Sequence, residues 1–378
     1  MVKIGQILKR RKITYYECDE SLKNRLHQPS TNYSVILIFI LISNSIFWST
    51  TSKAQATKTS DHLLQSKQPY IGWIAQYPVV KQHKIKAKLL RYIGEKIFGK
   101  SLQLSISKPV YVIADNPSEM LIFDQTKHTL FKVGKKKVSI PKAIKHKEDY
   151  FTSLVDACAI KDGVILFTDS RLNKVFSLSN NGKTLGIFNK DTSLLEQPTG
   201  IAFNAVSNEV WVASTKGHKL CVFNLEGNLI KTIGIRGDDT AQFNFPTSIC
   251  SDQHGDMYVV DAMNFRVQIF DITGKYLSQF GKIGDVSGSF ASPKGIATDS
   301  YGNIYVVDGL FHVVQIFDRQ GNYLYKFGQQ GRGKEDFWMP TGISIDKKDN
   351  VYVADSYNSR VQIFHLYNGI ENEKNNSN

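Results

Sequence analysis

Cysteine is scarce in this chain. There are four in 378 residues, and none of Cys18, Cys158, Cys221 and Cys250 stands in CxxC spacing. A disulfide framework or a cysteine-based zinc site is therefore not expected. The chain also lacks a GxSxG elbow and a P-loop, so it shows neither that nucleophile motif nor that nucleotide motif. The apolar run VILIFILISNSIFW (35–48) is interrupted by Ser43, Asn44 and Ser45 and is shorter than the about 20 residues a bilayer span requires. Acidic residues are few at the front. Residues 1–150 carry 10 Asp/Glu against 26 Lys/Arg, whereas 151–378 carry 24 against 21. The net charge of +13 thus belongs to the N-terminal part. Nucleic acid is not an expected partner, because that would require a basic stripe on the near-neutral remainder.

The apolar run at 35–48 follows Lys9, Arg10, Arg11, Lys12, Lys23 and Arg25, and precedes STTSKAQA. A positive region, an apolar region and a small-x-small site at Ala54-Gln55-Ala56 form a secretory pattern. Residues 1–56 are read as a signal peptide or membrane anchor, which predicts a secreted or periplasmic protein, with 35–48 as a possible inner-membrane anchor. No cysteine follows the run, so a lipid anchor is not indicated. Residues 57–88 read as an extended Lys-rich leader, with YIGWIAQYP (70–78) as its apolar cluster, and 370–378 as a disordered tail.

The rest of the chain repeats. YVVDAMNFRVQIFD (258–271) returns as YVVDGLFHVVQIFD (305–318) and YVADSYNSRVQIFH (352–365), placing Asp261, Asp308 and Asp355 at intervals of 47 residues. A fixed period of short strands in this range marks a propeller or a similar array. Each unit reads as four antiparallel strands separated by Gly/Asn/Asp turns. Older copies are visible at 211–234, ending a strand at Ser214, at 165–188 with Asp169, and at 110–134 with Asp115. Six units result. The last lacks a fourth strand, and LLRYIG (89–94) resembles YLYKFG (323–328) and LIKTIG (229–234). The expectation is an all-β, six-bladed β-propeller over 89–369, its ring closed by 89–94 as an N-terminal strand, which leaves no open sheet edge. The interval from Gly94 to Asp115 then makes the lead-in of the first blade short.

PTGISIDKKDNVYVADSYNSRVQIF (340–364), with its preceding aromatic-x-x-Pro, resembles an NHL repeat, and 89–369 resembles six-bladed NHL propellers, secreted bacterial ones among them. The resemblance implies a fold more firmly than a function. The NHL-type amidating lyases, similar in fold, place metal-binding histidines after the blade proline. This chain has Thr199, Thr247, Lys294 and Thr341 there.

Residues present in every blade are read as scaffold. Asp261, Asp308 and Asp355 should accept N–H bonds in the following turn. Arg266 and Arg360 should pack their stems over the blade edge. Phe243, Phe290 and Phe337 should plug the loops 234–246, 281–293 and 328–340. Cys158 and Cys250, in register with Ala202, Ala297 and Ser344, should be small buried filler.

Function is expected where the copies differ, on those loops around the channel. The candidate partner-binding residues are Trp338, Met339 and Phe245, as an apolar docking patch, with Lys294 and Asp156 as opposite charges at the channel. Asp156 stands where Gly200, Ser248, Gly295 and Gly342 stand in other blades. Lys135, Lys136, Lys137, Lys142, Lys145 and Lys147 form a basic insertion suited to a polyanion or an anionic surface. The leading expectation is a monomeric, non-enzymatic scaffold for a protein or peptide partner, with no catalytic residue, no metal and no cofactor. A metal-dependent lyase or hydrolase in the channel is the alternative. His218 and His312, four residues after Ser214 and Asp308 in second-to-third-strand loops, are too few for such a site and come from alternate blades.

Overall fold

The computed structural model describes residues 69–78, 106–134, 138–145 and 150–367. Six four-stranded antiparallel sheets follow one another along the chain, as expected for a six-bladed propeller. Blade four shows the unit: Pro246–Ser251, Met257–Asp261, Arg266–Phe270 and Tyr276–Phe280, running from the channel outward. The first strands of blades one, two, three, five and six are Pro109–Asn116, Leu154–Ala159, Pro198–Asn204, Pro293–Thr298 and Ile343–Ile345.

Burial explains the sequence texture of each strand. The second strands Met257–Asp261, Ile304–Asp308 and Asn350–Asp355 are buried throughout, because neighbouring blades cover both faces. Outer strands such as Leu229–Ile233 and Tyr323–Phe327 alternate between half-buried and exposed residues. Apolar clusters such as that of Trp211, Val222, Ile249, Val259 and Phe270 lie between blades and bind each to the next. Tyr258, Tyr305 and Tyr352 are fully buried, with hydroxyls 3.1, 3.0 and 2.8 Å from Asp252, Asp299 and Asp346 in the turns between first and second strands. Such a phenol supplies apolar bulk while its one polar atom is satisfied.

Two strand assignments differ from the sequence reading. The fourth strand of the sixth blade is Tyr70–Tyr77, antiparallel to Arg360–Tyr367, with Trp73 opposite Phe364 and Tyr77 opposite Val361. It occupies the place expected for Leu89–Gly94, which lie outside the described residues, as do 1–56. The cluster at 70–78 is therefore a blade strand and not part of a leader. In blade one, Pro109–Asn116 is the first strand and Glu119–Asp124 the second, so the repeat aspartate is Asp124 and not Asp115. The VYVIAD stretch imitates a second strand in composition, but a tight turn at Pro117-Ser118 returns it into Glu119–Asp124. The short lead-in inferred from Asp115 falls with that register.

Among the described residues no helix is long and apolar enough to cross a membrane.

Candidate functional site

The face of the ring carrying the fourth-to-first-strand loops is organised by a repeated clasp. Each repeat aspartate accepts an N–H from the residue 17 positions earlier, just before its blade's first strand. The pairs are Ser107–Asp124 and Thr152–Asp169 at 2.6 Å, Asn244–Asp261 at 2.6 Å, and Ala291–Asp308 and Trp338–Asp355 at 2.7 Å. Of the three aspartates expected to accept N–H bonds from the following turn, Asp308 does so, as do Asp124 and Asp169, whereas Asp261 and Asp355 accept from the side-chain amides of Asn264 and Asn358 instead. In blade three Ser214 Oγ accepts from Glu196 N instead.

The arginines do more than the sequence reading proposed. Arg266 and Arg360 are buried, not packed over an edge. Their Nε atoms lie 2.9 and 2.7 Å from Asp261 and Asp355. Their remaining donors reach loop carbonyls, Asp239 and Gln242 for Arg266, Gly333 and Asp336 for Arg360. A rigid planar fork makes several bonds at once, which an ammonium does not. The signal was present as the spacing Asp-x4-Arg-x-Gln, since Gln268 and Gln362 also bind those loops. Phe243, Phe290 and Phe337 are fully buried plugs, each paired across its loop to Arg236, Ile283 and Gln330.

His218 and His312 belong to the same fastening system. Phe245 and Met339 precede the blade prolines in left-handed conformation, φ 57° and 50°. Their N–H groups donate to Nδ1 of His218 (3.3 Å) and His312 (3.0 Å) in the preceding blade. Among the described residues no three or more His, Cys, Asp and Glu come together as a metal-binding group.

Inside the clasps the six inner strands converge on the channel. One layer contains Tyr111, Asp156, Gly200, Ser248, Gly295 and Gly342. Glycine is required where inner strands touch: a Cβ on Gly200 would stand 2.6 Å from Ser248 Cα, and one on Gly342 would collide with the Val110 carbonyl. Above this layer, on the loop face, lies a cavity of about 270 Å³. All four residues that follow a blade proline in blades three to six (Thr199, Thr247, Lys294, Thr341) line it, together with Asp156. Below, a second cavity of about 230 Å³ is lined by the small layer that includes Cys158, Ala202, Cys250, Ala297 and Ser344. Cys158 and Cys250 are thus half-buried channel-lining thiols and not interior filler, whereas Cys221 is in the core. Burial raises the thiol pKa of all three.

Asp156 is the most perturbed carboxyl of the site. It is 4 % exposed, and burial pushes its pKa up to about 8. The N–H groups of Ala157 and Ile201 and the Ser248 hydroxyl offset only part of that cost. The adjacent Tyr111 phenol is raised as well, by burial first and by Asp156 second. At neutral pH the neck therefore offers a protonated carboxyl and a phenol, both able to donate.

The structure brings Asp156, Lys294 and Met339 to one cavity. Trp338 and Phe245 stand beside it without lining it. Trp338 is half-buried under the Arg332 guanidinium, 4.6 Å from the ring centroid, and Phe245 is 37 % exposed and packs on the His218 ring at 4.5 Å. Lys142 and Lys145 are exposed, away from the cavity lining, and Lys135, Lys136, Lys137 and Lys147 lie outside the described residues.

The profile described as NHL repeat matches residues 243–270 and 337–364. No curated protein matches the chain. Among solved structures, a Bacteroides thetaiotaomicron protein of unknown function is similar at TM-score 0.57 and 14% identity, over 70% of this chain and 71% of that one. An auxiliary nutrient binding protein from the same organism gives 0.54 and 14%, over 69% and 70%. A streptogramin B lyase gives 0.50 and 13%, over 70% and 96%. At these identities the likeness is one of fold.

Proposed function

We propose that this chain, a six-bladed propeller whose fourth and sixth blades match the NHL repeat, is an extracytoplasmic binding protein that takes its ligand at the loop-face mouth of the channel. One observation carries the reading: the loop-face cavity of about 270 Å³ coincides with positions at which the repeats disagree. Residues that recur are consumed in holding the ring, while Asp156, Lys294 and Met339 depart from the repeat and converge. A concave, largely apolar site with a few converging polar groups is the usual form of a ligand pocket.

The ring supplies rigidity. Loops fastened by buried aspartates and arginines lose little further freedom on binding, so contact energy is not consumed in ordering them. Met339 lies at the cavity, and Trp338 and Phe245 adjoin it, so a peptide seated in the mouth would find aromatic anchors at its rim. Secretion is supported by the charge and apolar pattern of residues 1–56 and is in keeping with the auxiliary nutrient binding protein among the structures of similar fold.

The test is affinity capture on immobilised protein from an extracytoplasmic fraction, comparing the parent with Val155→Trp, which fills the cavity from its wall. Retention by the parent and loss by the variant is expected. Equal retention would move the binding surface elsewhere.

A further inference from the structure

The positions that follow the blade proline do not all behave alike, and the difference isolates one sector of the mouth. In blade three Thr199 Oγ1 lies 2.6 Å from Thr215 Oγ1 and 2.7 Å from the Thr247 carbonyl of the next blade. In blade six Thr341 Oγ1 lies 2.7 Å from Ser356 Oγ and 3.1 Å from the Val110 carbonyl of blade one. Each threonine thus pairs with a hydroxyl one residue beyond the end of the second strand, and together they tie adjacent blades.

Blades four and five break this rule. In blade four the partner position is Ala262, and Thr247 Oγ1 is buried without any hydrogen-bond partner. In blade five the threonine is Lys294 and the partner position is Gly309. Gly309 offers no hydroxyl to pair with, and the lysine stem runs over it, a Cβ there lying in ordinary contact at 3.4 Å from Lys294 Cγ and 3.7 Å from Cε. The Lys294 ammonium has no hydrogen bond, ion pair or ring contact among the described residues. Both residues come from neighbouring blades and line the same cavity, whose remaining walls include Val110, Val155, Met339 and Pro340; Lys294 is exposed there, whereas the Thr247 hydroxyl is closed off.

A mostly apolar cavity with one unpaired ammonium at its mouth suits an amphipathic monoanion. We infer that the channel mouth binds a carboxylate carried on an apolar body, with the carboxylate at the exposed Lys294 ammonium and the body against Val110, Val155 and Met339. A charge-assisted bond is stronger than a neutral one, and water at the rim keeps this one modest. Lys108 also lines the cavity, but its ammonium lies 5.6 Å over the Tyr357 ring. Asp156, on the lining as well, is kept protonated by burial at neutral pH and so does not repel a monoanion. A dianionic phosphate would meet only one unengaged cation and an apolar wall, which disfavours it.

This inference rests on the proposed binding role and gives the ligand its chemistry. Two sources share that chemistry: a free small acid, or the C-terminal carboxylate of a peptide. Calorimetric titration of the purified full chain separates them, using 3-phenylpropionate, 3-phenylpropionamide, inorganic phosphate, and the tripeptide Gly-Leu-Phe with free or amidated C-terminus. Acid is expected to bind about fivefold tighter than amide, with Lys294→Met losing about fivefold, Thr247→Val leaving acid binding unchanged, and both variants melting like the parent. Tighter binding of the free tripeptide than of phenylpropionate assigns the site to chain ends, and the reverse order assigns it to small acids. Equal binding of acid and amide, phosphate binding as tight as the acid, indifference to Lys294→Met, or no binding of any probe overturns the inference. Val155→Trp keeps the two claims apart. If the parent binds acid and amide equally and that variant loses both, the mouth stands as the binding site and only its carboxylate preference falls.

Discussion

The clasp and the neck are built from the same repeat a few residues apart, yet they diverge in opposite ways. At the clasp the copies agree: Asp124, Asp169, Asp261, Asp308 and Asp355 all capture an N–H from 17 residues upstream. At the neck they disagree, with Tyr111, Asp156, Gly200, Ser248, Gly295 and Gly342 in one layer. The clasp must solve one geometric problem six times, so its residues repeat. The neck bounds a single cavity seen from six sides, so its residues are free to specialise. Agreement among copies thus points to scaffold and disagreement to the site.

The sharpest way to break this contrast lies in the clasp. Asp355→Ala leaves the Arg360 guanidinium buried without its counter-ion and should cost about 3–5 kcal/mol, read as a lower urea midpoint. In blade five Val313 stands where the arginine would be, so Asp308→Ala strands only N–H groups and should cost less, about 1–3 kcal/mol. Equal losses would show that the arginine adds nothing to the clasp.

At the neck the prediction has the opposite sign. Asp156 binds its proton in the native state up to about pH 8 but releases it in the unfolded chain near 3.8. Native protein therefore holds more protons between those values, and stability falls as pH rises through that window. Asp156→Asn should melt with the parent near pH 4 and exceed it by about 4–6 kcal/mol at pH 9. A constant offset across pH would refute the assignment.

Smaller effects sharpen the picture further. Gly200→Ala forces a methyl against the Ser248 backbone and should destabilise by about 1–3 kcal/mol, seen as a lower melting temperature. Val313→Arg restores the fork in blade five, where a cavity of about 110 Å³ lies beside Val313, Gln315 and Lys326. With Lys326 already bringing positive charge there, the gain in urea midpoint should stay below about 1 kcal/mol.

Particular residues show how far the sequence could be read. The 47-residue period, the phenylalanine plugs and the glycine-to-aspartate exchange at Asp156 were all visible, because core and close-approach positions restrict residue choice tightly. The closing strand was not, since outer strands are half-exposed and tolerate many sequences. Its mark was subtler. Gln76-Tyr77 repeats Gln279-Phe280, and both glutamines receive a bond from the blade's arginine. Asp115 was mistaken for Asp124 because a strand's composition does not reveal its order within a blade. The Lys294–Thr247 sector was legible only in part. Lys294 is conspicuous in the repeat alignment, but the loneliness of Thr247 depends on Ala262, a residue far along the chain whose relevance emerges from pairing.

The sixth blade unites Tyr70–Tyr77 with Arg360–Tyr367. A ribosome makes the first of these long before the second, so no nascent chain can complete the wheel until Arg360–Tyr367 has emerged. Until then Tyr70–Tyr77 lacks its partner and strand edges stay bare to other chains.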